Sequence, residues 1–262
     1  MHAAGVNFQQ ATTLRVLHSV NLLRKWLFLS MLCLLATGGG TPAYARDCGS
    51  APAPYSAGYS VDRNGDPDGS MTVTLERAGA DAYRYSMDTR VKWGIFNAYI
   101  DEQSDLIFRD GIVMPVNFQL TQRVSIYKRH ELAEFDWVAM KATGEKKRDD
   151  FELDIVPGMQ DKLSVYLLLA GSVCRGAYDI DAVVVSGPEL KSYDYRFQAV
   201  ETLDTLLGRV ETVHIRRGGP DDEKQTDLWH AEAAHFLPVK MVYRDGDVVT
   251  DMRLIEISFP NE

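Results

Sequence analysis

Two histidines five positions apart, His230 and His235, flank Glu232 in the stretch LWHAEAAHFLPVKMVYRDGD, with Trp229 alongside. Residues of these types can ligate a metal ion or pass a proton. On a strand an odd spacing puts the two rings on opposite faces. On a helix, with about 3.6 residues per turn, the same spacing leaves them roughly 140° apart. A zinc-protease helix needs histidines four apart with the glutamate directly after the first. Here Glu232 follows His230 by two positions. The stretch therefore reads as scaffold, with Trp229 and Phe236 in the core, Pro238 opening the next strand, and no metal expected. A hydrolase using His230, His214 or His130 with scattered carboxylates is the remaining catalytic reading.

Other catalytic signatures are missing from the sequence. In AGSVCRG, Gly171 and Ser172 are adjacent, so the nucleophile-elbow spacing fails, and DKLS (Asp161 to Ser164) has the wrong order for a serine–lysine pair. Neither a dinucleotide-binding glycine pattern nor a phosphate-binding loop occurs, and no cofactor is expected. Arg216 and Arg217, with Arg196 and Arg209 nearby, form one local basic cluster. If neighbouring strands brought Arg196 and Arg216 together at a cavity rim, they could hold an anionic headgroup. The plainer expectation is exposed strand arginines paired with acids.

The first 45 residues read as a secretory signal peptide. Arg15, Arg24 and Lys25 form the basic region, Trp26–Ala36 the apolar run, and Ala43-Tyr44-Ala45 the small-residue cleavage site. The apolar run falls short of the about 20 residues that span a bilayer, so no stable membrane span is expected after cleavage. Leu32 before Cys33 is too large for a lipoprotein cleavage site. The leader holds three of the 28 basic residues and none of the 37 acidic ones, so 25 basic against 37 acidic residues remain. That balance disfavours nucleic acid and anionic lipid surfaces as bulk electrostatic partners. Residues 46–262 keep two cysteines, Cys48 and Cys174. In an exported chain an isolated pair suggests a disulfide that would pin an otherwise loose N-terminal CGSAPAPYSAG. A metal site or a catalytic thiol is the rival reading.

Residues 46–262 fit a single β-rich domain, without a low-complexity linker or an internal repeat. Period-2 alternation dominates: Met71, Val73 and Leu75; Tyr83, Tyr85 and Met87; Phe118 and Leu120; Tyr195 and Phe197; Val239, Met241 and Tyr243. About ten strands are expected, with Asp245–Gly246 as a hairpin turn. One segment differs. In PGMQDKLSVYLLLAG, Met159, Leu163, Tyr166, Leu167 and Ala170 fall at helical spacing, which predicts a short apolar helix over 157–170, with Asp161 and Lys162 in its first turn. Ten strands side by side span roughly 48 Å, and one helix about 10 Å across cannot cover them. The sheet must curl round the helix, fold on itself, or leave an apolar concave surface; the rival expectation is a closed barrel or sandwich filled by its own side chains.

VPGMQDKLSVYLLLA, YRFQAVETLDTLLGRVETVHIRR and TDLWHAEAAHFLPVKMVYRDGD together resemble an exported proteobacterial family known only as domain of unknown function number three thousand one hundred and eight. The features carrying the likeness are Thr205, Leu207, Gly208, Arg216, Arg217, Leu228, Trp229 and Leu237–Lys240, with Phe135, Asp136 and Trp137. The resemblance covers roughly residues 115–257. It implies a periplasmic location and a mainly β fold: a large curved antiparallel sheet, or half-open β-barrel, wrapped around one short apolar helix, as in the periplasmic lipoprotein carriers. It brings no activity and no catalytic residues.

The expectation drawn from these observations is a periplasmic, non-enzymatic protein that binds an apolar or amphipathic ligand, a lipid or acyl chain, in a concave β cavity. Phe118, Leu120, Tyr166, Leu167, Tyr195, Phe197, Trp229 and Met241 are the expected lining. The alternative is an envelope scaffold or assembly factor that binds another protein.

Overall fold

The computed structural model describes residues 48–49, 51–93 and 96–260. The leader inferred from sequence lies outside them. Eight strands run in order before the helix: β1 (Tyr55–Arg63), β2 (Asp66–Arg77), β3 (Ala82–Trp93), β4 (Phe96–Arg109), β5 (Ile112–Val124), β6 (Tyr127–Asp136), β7 (Lys141–Lys146) and β8 (Asp149–Asp154). After α1 (Ser164–Cys174) come β9 (Ile180–Ser186), β10 (Glu189–Thr205), β11 (Gly208–Arg217), β12 (Lys224–His230), β13 (Pro238–Asp245) and β14 (Val248–Ser258).

All 14 strands form one antiparallel sheet in the order β8-β7-β6-β5-β4-β3-β2-β1-β14-β13-β12-β11-β10-β9. It is two meanders joined at a seam, where β1 pairs with both β2 and β14. The N-terminal stretch expected to be loose is therefore, from Tyr55 onward, a central strand. Its Tyr55, Ala57, Tyr59 and Val61 are buried on alternate positions, the pattern of a strand with one packed face. The hairpins turn at residues that tolerate positive φ: Asn64-Gly65 and Asp110-Gly111 in the first meander, Gly246 in the second.

The sheet curls but does not close, because β8 and β9 are not hydrogen-bonded to each other. The two ends still approach: the Lys146 ammonium donates to the Ser186 carbonyl at 2.9 Å. Gly187, which follows Ser186, has φ 64°, in the left-handed region that favours glycine. The crossover between the ends carries the helix. Gln160 makes a parallel bridge to Val184 of β9, donating to the Val183 carbonyl at 2.9 Å and accepting from the Val185 amide at 2.8 Å.

That bridge explains why α1 begins at Ser164 and not at 157. The backbone of Gln160 is committed to the sheet, so the helix cannot extend back through it. Asp161 then caps the helix: its Oδ1 accepts from the Leu163 and Ser164 amides, both at 2.7 Å, and Ser164 Oγ accepts from the Asp161 amide at 3.0 Å. This is a capping box in Asp-x-x-Ser form. At the other end Gly171 does not stop the helix. Gly176, at φ 79°, does, with Ala177 N–H on the Ser172 carbonyl and Gly176 N–H on the Val173 carbonyl. Those two bonds make a Schellman close. Cys174 in the last turn is bonded to Cys48, with the Cα atoms 5.6 Å apart, so the pair expected from sequence is a disulfide. The helix buries Val165, Leu167, Leu169, Ala170 and Val173. It is apolar on nearly every side, as an element wrapped by a sheet must be.

Candidate site on the concave face

Directly opposed residues of an antiparallel sheet share a face. The pairings therefore give rows across the concave side of the first meander. The row Tyr55, Leu75, Tyr85, Ser104, Phe118 and Ala133 is buried throughout. Two residues along each strand, the row Ala57, Val73, Met87, Glu102, Leu120 and Glu131 is only partly sealed, with Met87 and Glu102 half-buried. One step further, Tyr59 and Met71 stay buried, whereas Thr89, Ile100, Gln122 and Arg129 are half-buried. Over β3–β6 the concave face thus passes from a sealed row to a half-open trough. In the second meander burial is mixed: the row Phe197, Ile215, Leu228, Met241 and Met252 is buried at its centre with Phe197 exposed and Met252 half-buried, and the row Tyr195, Arg217, Thr226, Tyr243 and Thr250 buries Tyr195 and Thr226 and leaves the other three half-buried.

The open part of the trough is polar and charged. Glu131, only 1% exposed, receives Lys162 at 2.6 Å, Arg129 at 3.3 Å and Lys146 at 4.0 Å. Asp161 lies beside them, accepting from Ser104 Oγ. Burial holds the Asp161 carboxyl above the usual range, against the hydrogen bonds from Ser104 and the helix start. Glu102 is raised to about 7, first by burial, which outweighs the attraction of Lys162. Tyr166 of the helix is half-buried, and burial raises its hydroxyl to about 12.

The residues singled out from sequence fall in several places. Phe118, Leu120, Leu167, Tyr195 and Met241 lie inside and are packed in the core. Tyr166, on the helix, is half-buried and packed against the core. Phe197 is 41% exposed at the rim, stacked on Tyr178 with ring centroids 5.5 Å apart. Trp229 does not line the concave side. It follows Leu228, whose side chain is fully buried inside, so it points to the convex face by strand parity. There it stacks on His214 at 4.1 Å, lies under Lys240 at 4.3 Å and donates to Glu201 at 2.6 Å. Arg196 and Arg216 are direct cross-strand neighbours, yet on the convex face: Arg196 pairs with Asp181 and Arg216 with Asp227, each at 2.6 Å. They stand away from any concave rim.

Asp227 is the centre of that convex network. It is fully enclosed and accepts from His214, Arg216 and Arg244. Burial alone would raise its carboxyl, but the three donors hold it at about 2. The second meander also carries a half-open cleft of about 560 Å³ between the β10–β11 hairpin tip and β13, β14 and β1, lined by Leu203, Leu206, Lys240, Arg253 and Ile255 among others.

The histidines do not converge. His230 is buried, its Nδ1 hydrogen-bonded to the Phe236 carbonyl at 2.7 Å, and burial lowers it to about 4. His235 sits in the turn after a 3-10 segment, stacked on Phe259 at 4.1 Å. His130 contacts Thr121 Oγ1 at 3.1 Å on another strand pair. Among the described residues no group of three or more His, Cys, Asp or Glu is placed to hold a metal ion. No described helix is long and apolar enough to cross a membrane.

Residues 55–253 match the family described as protein of unknown function DUF3108, and the chain belongs to that family. A crystal structure described as a β-barrel-like protein of domain of unknown function DUF1849, from Brucella abortus, aligns with TM-score 0.54 at 10% identity, over 80% of this chain and 99% of that one. At that identity the likeness is one of fold. No curated protein matches the chain in sequence.

Proposed function

We propose that this member of the DUF3108 family is an exported, non-catalytic protein of the cell envelope that binds an apolar or amphipathic small molecule on the concave face of its curled sheet. The observation that carries the reading is the gradient along that face. The row from Tyr55 to Ala133 is buried throughout, and the next rows of β3–β6 leave Met87 and Ile100 half-buried beside enclosed charges, with Tyr166 of the helix half-buried as well. Half-covered apolar surface inside a concavity is the usual form of a ligand site. The disulfide supports an oxidising compartment.

Mass spectrometry of lipid extracts from protein purified without detergent tests this. A stoichiometric amphiphile is expected, and protein that is reproducibly empty, and stays empty when offered envelope lipid extract, would overturn it. The envelope-scaffold reading has one specific observation in its favour. At the β5–β6 turn Ile126 is bare and Tyr127 is 56% exposed, an apolar tip suited to a protein contact.

A further inference from the structure

Adjacent residues of β11 point to opposite faces and meet opposite electrostatic surroundings. Arg216, on the convex side, shares the enclosed Asp227 with His214 and Arg244. Arg217, on the concave side, has no carboxylate within 4.0 Å among the described residues, although the chain as a whole carries formal charge −9. Its guanidinium lies 3.8 Å over the ring of Tyr193 and 6.0 Å from that of Tyr195, and it donates to Thr226 Oγ1 at 3.0 Å. Tyr243 lies two strands over in the same cross-strand row, through Thr226. Tyr243 donates to Asp245 at 3.2 Å, but that carboxylate is itself held by Lys224 at 3.0 Å. A half-buried guanidinium keeps several N–H donors in a planar fork, and such a fork fits a carboxylate or phosphate. A cation enclosed without a counter-charge is unfavourable unless something supplies one.

We infer that the tyrosine-lined recess at Arg217 receives the anionic head, carboxylate or phosphate, of a single-chain amphiphile whose tail lies along the half-open trough past Tyr166. This rests on the concave-face reading. It adds the sign of the head and its position. On the opposite wall Lys162, Arg129 and Lys146 are already gathered on the enclosed Glu131, so the cation that lacks a carboxylate partner is on the Arg217 side. The tail then runs over Met87 and Ile100, which the first meander leaves half-covered.

Binding of cis-parinaric acid and of its methyl ester, followed by fluorescence in the intact protein, tests the inference. The acid should bind at least about tenfold more tightly than the ester, the effect of one charge-assisted hydrogen-bonded pair. Arg217→Gln should abolish the preference while ester binding persists. Arg217→Lys should keep part of it, and Arg196→Gln on the convex face should keep all of it. Acid and ester binding equally, or a preference surviving in Arg217→Gln, would overturn the head assignment and leave the concave site standing. Inorganic phosphate or acetate displacing the acid at equal concentration would mean a small-anion site and also overturn it. Failure of both probes to bind would overturn the concave reading and this one together.

Discussion

Glu102 sits on the concave face with its carboxyl raised to about 7, well above the 4.5 of a free glutamate. A carboxyl that is harder to ionise in the folded state binds its proton more tightly there. Its effect on stability is therefore a loss as pH climbs from about 4.5 to about 7. Glu102→Gln is expected to flatten that part of the stability profile and to stabilise the protein by about 1–3 kcal/mol at pH 8. Urea unfolding at pH 5 and pH 8 checks this, and an unchanged difference between the two contradicts it. Asp227 behaves in the opposite sense. Its carboxyl is held at about 2, so its stabilisation is present above 3.8 and disappears as pH falls toward 2. Asp227→Asn strands two arginines and should cost about 3 kcal/mol at pH 7, read from the same denaturation curves. A loss below 1 kcal/mol would show that the network carries little. At this scale the sequence was informative about type and misleading about face. The basic cluster at 216–217 was visible, but only the parity of β11, fixed by the buried Ile215, decides that Arg217, not Arg216, looks inward. The polar interior was hidden for another reason. Glu102, Glu131 and Lys162 lie on different elements and meet only when the sheet curls.

The elements follow the alternation of the sequence where one face is uniformly apolar. β2, β5 and β13 were legible for that reason. β4 was not, because Glu102 and Ser104 occupy inward positions and interrupt its apolar face. β7, KATGEK, is short and polar. β1 hid behind its proline-rich approach, although its inward residues alternate strictly. The helix was found but shifted by several residues at each end, since no local propensity reveals that Gln160 is claimed by β9. Its true ends rest on Asp161 and Gly176. Asp161→Ala removes the cap and the Ser104 contact and should destabilise by about 1–3 kcal/mol. The loss should appear in the thermal midpoint of the purified protein, and an unchanged midpoint would show that the cap is dispensable. Replacing both Cys48 and Cys174 by serine should cost roughly 2–5 kcal/mol. Comparing that variant with reduced wild type separates the bond from the side chains. Agreement between them is expected, and a more stable variant would contradict the assignment.

At the scale of the molecule, the described residues set 14 strands, not about ten, against one helix of 11 residues. The sheet answers by curling until its ends nearly touch, and by turning charged residues into the part the helix leaves open. The ligand site we propose lies in that open part, beside the helix. The most direct measurement places a photo-crosslinking amino acid in living cells at Ile100, on the open concave row, and separately at Asp88, on the convex face of β3. Intact-mass analysis then reads what each position captures. A small-molecule adduct at Ile100 and none at Asp88 is the expected result. Capture of another protein at Ile100, or equal adducts at both positions, would contradict a concave ligand site.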